Sequence, residues 1–246
     1  MFVAIALSSN KIGTSSSLLS SSIILFELIF SERSFQKYVR VFSRVKKEAM
    51  ARTKEFDREE VLTKAMYTFL QHGYEGTSMQ TLVSTMGINR GSLYDTFGDK
   101  RSLFLAAIAH YEGTIVKDTI GSLMDADAGK QTIIDIFRGL VVGMAKETNC
   151  YGCLMTNTAV ELCPHDAEAK DKIDTHFSQI ARAFRQALKL AQDKEEIAGD
   201  RDIDAIANYL TSSLQGLRVM GKVNRNPQTL NSIVDVILSV LDRPCI

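Results

Sequence analysis

Between residues 77 and 100 the chain sets hydrogen-bonding side chains against a regular apolar spacing. Met79, Leu82, Val83 and Met86 share one helical face, and Thr77 or Ser78 is placed to cap the helix that carries them. Gly87 permits a sharp turn, Ile88 fills the angle behind it, and Asn89 can cap a second helix whose Leu93 and Phe97 face the first. Two short helices about a glycine turn form either an ordinary helical hairpin or a helix-turn-helix. In the latter the second helix enters the major groove of duplex DNA with its N-terminal residues at the base edges. The outward residues Asn89, Arg90, Gly91, Ser92, Tyr94 and Asp95 suit that task, and small Gly91 and Ser92 allow close approach. Asn89 and Arg90 are the candidates for base edges. Tyr94 and Lys100 are placed to donate to phosphates, which set register without reading sequence. The amides at both helix starts, behind Thr77, Ser78 and Asn89, favour anions as well. Arg52 and Lys54 form a short basic arm ahead of the first helix, fit for a minor groove or a phosphate track.

A second concentration of chemistry is sulfur. Cys150, Cys153 and Cys163 lie within fourteen residues, with His165 close by. Cys150 and Cys153 make a C-x-x-C pair, which elsewhere is redox-active or binds metal. The βαβ setting of thioredoxin-like chemistry is absent, and the set Cys150, Cys153, Cys163, His165 matches no standard zinc spacing. A helix between Cys153 and Cys163 would hold them apart by up to ~14 Å. At the inner start of that helix, Cys153 would meet the positive helix end, which favours thiolate and makes it the most reactive of the four thiols. The bland alternative is a buried, inert thiol. Cys153, His165 and His176 are the candidates for an effector or sensor site, and His110, Arg138 and Arg182 are scattered over other helices. No Ser/His/Asp set, phosphate loop or paired carboxylates appear, so no catalytic residue, metal or cofactor is expected.

The elements that must position these groups are helical. Leu62, Ala65, Met66, Phe69 and Leu70 lie on one face, and Gly73 ends that helix. The same period recurs through Ile133–Met144, Ile173–Leu188, Ile203–Leu210 and Leu230–Leu241. Only 3 Pro and 15 Gly interrupt the chain, which disfavours a turn-rich β sandwich. Loops are expected at 125–129, 149–152, 200–202 and 224–227, and Pro164-His165-Asp166 is expected to begin a helix. The reading is all-α, with about nine helices after Met50.

Composition sets outer limits. The 246 residues are 45% hydrophobic and 24% charged, ordinary globular values that exclude wholesale disorder. With 29 basic and 29 acidic residues there is no generally basic coat, although a local positive face is allowed. No apolar run reaches the ~18 residues that span a bilayer. The 4 Cys are too few and uneven for a secreted disulfide framework, so reduced thiols and a cytoplasmic location are expected. Residues 1–49 differ in texture: two Ser triplets, an apolar run broken by Glu27, and seven basic against three acidic residues. They lack the pattern of an export signal. Met50 is the expected true start, with 1–49 a poorly ordered upstream extension.

The stretch from residue 55 to 105 resembles the tetracycline-repressor-like (TetR/AcrR) regulators. The matching features are His72-Gly73-Tyr74, Gly76-Thr77-Ser78, Met86-Gly87-Ile88, Gly91-Ser92-Leu93-Tyr94 and Phe97-Gly98-Asp99-Lys100. Gly152-Cys153-Leu154 followed by Asn157 and Glu161 resembles one branch of that family. The resemblance implies a helix-turn-helix DNA-binding domain over 50–101 and a helical domain over 102–246. The latter would bind a small-molecule effector and dimerise through two last helices, near 203–222 and 227–242. Ala205, Ala207, Gly216 and Gly221 permit close helix approach there, and a palindromic operator requires a two-fold protein. The expected partners are therefore double-stranded operator DNA, a second copy of the chain and an effector. Two other classes stay open: a thiol-reactive redox protein using Cys150 and Cys153, and a helical interaction module without DNA binding.

Overall fold

The computed structural model describes residues 56–146 and 151–242. The basic arm of Arg52 and Lys54, the extension over 1–49 and Cys150 lie outside the described residues. Among the described residues there is no strand, and no helix is long and apolar enough to cross a membrane.

Each front helix begins at a side chain that satisfies the free amides of its first turn. Asp57 accepts from the Glu59 amide at 2.8 Å and starts α1, Arg58–His72. Ser78 accepts from the Thr81 amide at 3.0 Å and starts α2, Met79–Met86. Asn89 accepts from the Ser92 amide at 2.8 Å and starts α3, Arg90–Phe97. Asp99 does the same for Ser102 at 2.7 Å and starts α4, Lys100–Tyr111. Gly87 closes α2 in the left-handed region (φ 70°, ψ 26°), which only glycine enters without strain.

A π turn over Glu112–Val116 carries α4 straight into α5, Lys117–Met124. Then follow α6 (Lys130–Lys146), α7 (Leu154–Glu161), α8 (Ala167–Asp193), α9 (Ile203–Val223) and α10 (Pro227–Leu238), the last ending in a 3₁₀ turn. Among the described residues ten α-helical segments thus form nine rods, because the π turn does not interrupt the fourth. The expectation for Pro164 needs correcting. Asp166 is the cap of α8, accepting from the Ala169 amide at 3.0 Å, and Pro164 sits in the turn before it. A carboxylate supplies the acceptor that the first-turn amides need, and proline cannot.

Two apolar clusters organise the packing. The first joins α1–α4 to Cys153, Leu154, Met155 and Leu162, and to Ala169 and Ile173 at the front of α8. The second joins α6, α9 and α10 to the rear of α8, from Ile180 to Ala191. The 27-residue α8 therefore belongs to both cores. Its buried alanines Ala183, Ala187 and Ala191 lie in one core with Ala207 of α9, where small side chains let helices approach closely. At the front, Arg101 of α4 grips both oxygens of Asp166 and reaches Glu168 Oε2 at 2.8 Å.

Phe184 is fully buried and stacks on Phe137 with ring centroids 6.1 Å apart. Phe184→Ala is expected to destabilise the chain by ~3–5 kcal/mol, read from the urea midpoint. Arg101 and the Ala169 amide hold the Asp166 carboxyl at about 2, below the ordinary 3.8. A depressed carboxyl stabilises the fold above its unfolded value and loses that contribution as the pH falls through the folded one. Wild type should therefore lose melting temperature more steeply than Asp166→Asn between pH 5 and pH 2, followed by thermal melts at fixed ionic strength.

Candidate nucleic-acid interface and buried cysteine

Leu82, Met86, Ile88, Leu93 and Phe97 bury the inner faces of α2 and α3, which fixes what α3 turns outward. Asn89, Arg90, Gly91, Tyr94 and Asp95 are exposed and Ser92 is half-buried. Arg90 lies along Tyr94: its Nη2 donates to the phenol oxygen at 3.4 Å, and the guanidinium stands 5.7 Å from the ring centroid. Asn89 keeps its amide oxygen on the Ser92 amide. Ser78 is exposed as well, with its oxygen held by the Thr81 amide. Lys100 places Nζ 4.3 Å from the centroid of Tyr74. Thr77 differs from the sequence expectation. It is fully buried and donates its hydroxyl to the Gly73 carbonyl at 2.6 Å, so it braces the α1–α2 loop instead of facing outward.

Cys153 occupies the cap position of α7 and is 1% exposed. Arg218 of α9 donates from Nη1 to its Sγ at 3.2 Å, and the Tyr111 hydroxyl of α4 lies beside it. Burial alone pushes the thiol up. The Arg218 charge, the Tyr111 hydroxyl and the first-turn Thr156 amide outweigh that and pull it below the ordinary value of 9.0. The same arrangement drives the Tyr111 phenol up, through burial and the neighbouring sulfur charge. Next to the thiol, Thr156 donates its hydroxyl to Gln215 Oε1 at 2.8 Å, and Gln215 Nε2 has no partner among the described residues. Cys163 is half-buried, and burial raises its thiol.

Two segments of the chain match known families. Residues 61–107 match "Bacterial regulatory proteins, tetR family", and residues 129–237 match "Tetracyclin repressor-like, C-terminal domain". The uncharacterised HTH-type transcriptional regulator YezE of Bacillus subtilis is 40% identical over 194 residues, which is 78% of this chain and all of the relative. The chain belongs to the TetR family of bacterial regulatory proteins. The transcriptional repressor ComR of Escherichia coli is 27% identical over 78% of this chain and 92% of its own length. Among solved structures, a cysteine mutant of the TetR-family regulator CifR in complex with 26-bp operator DNA superposes with a TM-score of 0.70. It is 28% identical over 77% of this chain and 98% of that one.

Within this TetR-family chain the three effector candidates are not brought together. Cys153 faces Arg218 and Tyr111. His176 is fully buried with Nδ1 3.2 Å from Glu112 Oε1 and with Nε2 unpartnered among the described residues. His165 is exposed in the turn before α8. A surface groove of about 280 Å³ between α4 and α8 and another of about 490 Å³ near Lys130 and Glu196 are both lined by other residues. Among the described residues no group of three His, Cys, Asp or Glu is placed to hold a metal ion. Sequence reading missed Arg218 and Tyr111. Their only signal is an arginine and a tyrosine on otherwise apolar helical faces.

Arg218→Met is expected to raise the Cys153 thiol, and Tyr111→Phe to raise it less, because a full charge contributes more than a neutral donor. Titration of thiolate absorbance in a chain whose other cysteines are serine measures this. An unchanged titration in Arg218→Met would show that the guanidinium does not govern the sulfur.

Proposed function

We propose that the chain is a ligand-responsive repressor of transcription that binds a palindromic operator as a homodimer, with 50–101 reading DNA and 102–246 binding effector and dimerising. One observation carries the reading: the capped start of α3 is exposed over Asn89, Arg90, Gly91, Tyr94 and Asp95 while its other face is locked into the core. A helix held this way presents its N-terminal turn to a groove at a fixed angle. The operator complex of CifR and the repressor ComR support it. Arg90 is assigned to a base edge, and Tyr94 and Lys100 to phosphates. Gly91 and half-buried Ser92 leave room for the sugar–phosphate backbone, and Asn89 and Ser78 orient amides toward it. Arg52 and Lys54, which lie outside the described residues, are assigned by their charge to a further phosphate or minor-groove contact.

Dimerisation is assigned to α9 and α10. Tyr209, Gly216, Met220 and Val223 are exposed along one stripe of α9, and Val236 is 68% exposed on α10. An exposed stripe on α9 beside an exposed apolar residue on α10 matches what a two-fold helix-pair interface buries. The effector site is assigned to Cys153. An activated alkene, such as a quinone or an N-alkyl maleimide, would form an Sγ–C bond as its C=C π bond breaks. The resulting enolate carbon would take a proton from water, and nothing would leave. The adduct has no space in a packed site, so it favours another conformer with a different separation of the two α3 helices. No catalytic turnover belongs to this reading, and its setting is the cytoplasm.

Binding is tested by gel shift against the DNA beside the chain's own coding region. Lys100→Ala and Tyr94→Phe should weaken binding to every sequence, and Lys100→Ala should lower the salt slope by about one. Arg90→Ala should cost ~1–3 kcal/mol and relax preference at one base position. Unchanged affinity in all three with an intact fold would sink this docking.

A further inference from the structure

Helix α7 carries Cys153, Asn157 and Glu161 at spacings of four, so the three lie along one ridge about 12 Å long. Each member reaches a different part of the molecule. Cys153 meets α9 and α4 through Arg218 and Tyr111. Asn157 donates to the Leu70 carbonyl in the last turn of α1 at 3.4 Å and to the Tyr151 carbonyl at 3.1 Å. It accepts from Lys222 Nζ of α9 at 3.1 Å. Glu161 leaves the far end of the ridge and enters the loop between α1 and α2. There its two carboxylate oxygens accept from the backbone amides of Tyr74 at 2.9 Å and Glu75 at 2.8 Å.

This last grip is built into the loop. Gly73 has φ 74°, and a Cβ at that position would stand 2.8 Å from Glu161 Oε2, so glycine is required both for the backbone and for the carboxylate. The Gly73 carbonyl is itself held by Thr77, the residue immediately before the cap of α2. The carboxylate therefore fixes the segment that launches the helix-turn-helix, through two charge-assisted bonds that are each roughly twice as strong as neutral ones. Amides that satisfy no helix or sheet ladder are held instead by a side chain some eighty residues away.

We propose that Glu161 is a positioning residue for the DNA-binding helices, and that α7 is the lever by which the Cys153 site acts on them. The second half rests on the reading of Cys153 as the effector site. A group added at the sulfur must move the start of α7 away from Arg218 and Tyr111. A two-turn helix moves as a rod, and its other end carries the carboxylate that holds Tyr74 and Glu75. Withdrawal frees the loop and lets α2 and α3 turn relative to the core. The Arg101–Asp166 bridge ties α4 to α8 by a separate route and does not pass through α7.

The test uses the full chain with Cys150, Cys163 and Cys245 replaced by serine, N-methylmaleimide as the probe, and DNA from beside its own coding region. Operator affinity and amide hydrogen exchange are measured with and without the adduct, in the parent, in Glu161→Gln and in Asp166→Asn. The adduct is expected to speed exchange at Tyr74 and Glu75 and to weaken operator binding about tenfold, within the usual range of allosteric coupling. Glu161→Gln should weaken binding to a similar degree without the adduct, and the adduct should then add less than about twofold. Asp166→Asn should keep the full response. An adduct effect of equal size in the parent and in Glu161→Gln overturns the lever. If the adduct leaves the parent's affinity unchanged, the Cys153 reading fails. Weaker binding by Glu161→Gln in that same experiment then supports the positioning role alone, and unchanged binding overturns that role too. Should Glu161→Gln fold poorly, the exchange at Tyr74 and Glu75 in the parent decides, since unaltered rates on full modification exclude withdrawal of the carboxylate.

Discussion

The stripe of small and apolar residues on α8 is what the remaining helices are arranged around. A 27-residue helix rises about 40 Å, and its two ends are covered by different partners. Ala169 and Ile173 at the front are closed over by α1, α4 and α7, and Ile180 to Ala191 at the rear by α6, α9 and α10. The alanines at 183, 187 and 191 matter for what they lack: with no bulk between them, α9 can lie close against α8.

The front unit meets a different constraint. Helices of eight residues such as α2 and α3 do not persist alone in water, because nucleation costs more than a few backbone bonds return. Here each is held by a side-chain cap at its start, a glycine at its end, and two fully or nearly buried side chains, Leu82 and Met86 in one and Leu93 and Phe97 in the other. That economy leaves the outer face of α3 free of structural duty. The polar residues there cost the fold nothing, which is the condition for a recognition surface.

The environment of Cys153 reverses the usual fate of a buried thiol. Burial in apolar surroundings raises a thiol and keeps it inert, and even at half-buried Cys163 it raises the thiol. At Cys153 a guanidinium and a phenol bring donors into the same dry space, where the low dielectric strengthens the attraction between Arg218 and a thiolate. The helix end assists, yet it is the smaller contributor beside a full charge 3.2 Å away.

Sequence by itself determined the helical class, the turns and most of the boundaries, because those depend on neighbours within a turn or two. The 3.6 period, Gly73, Gly87 and Gly98 at helix ends, and Ser78 and Asn89 at helix starts are local physics. So is the outward set on α3, which follows once Leu93 and Phe97 are known to point in. Where two local solutions compete, sequence does not choose: Thr77 or Ser78 could cap α2, and only packing buries Thr77 against Gly73. The same holds at the start of α8, where Asp166 takes the cap that Pro164 suggested. The partners of Cys153 and Glu161 were decided by tertiary structure alone. Arg218 lies 65 residues from Cys153, and Tyr74 lies 87 residues from Glu161. No periodicity encodes such pairings, since the energy that selects them arises only when α4, α7 and α9 lie together.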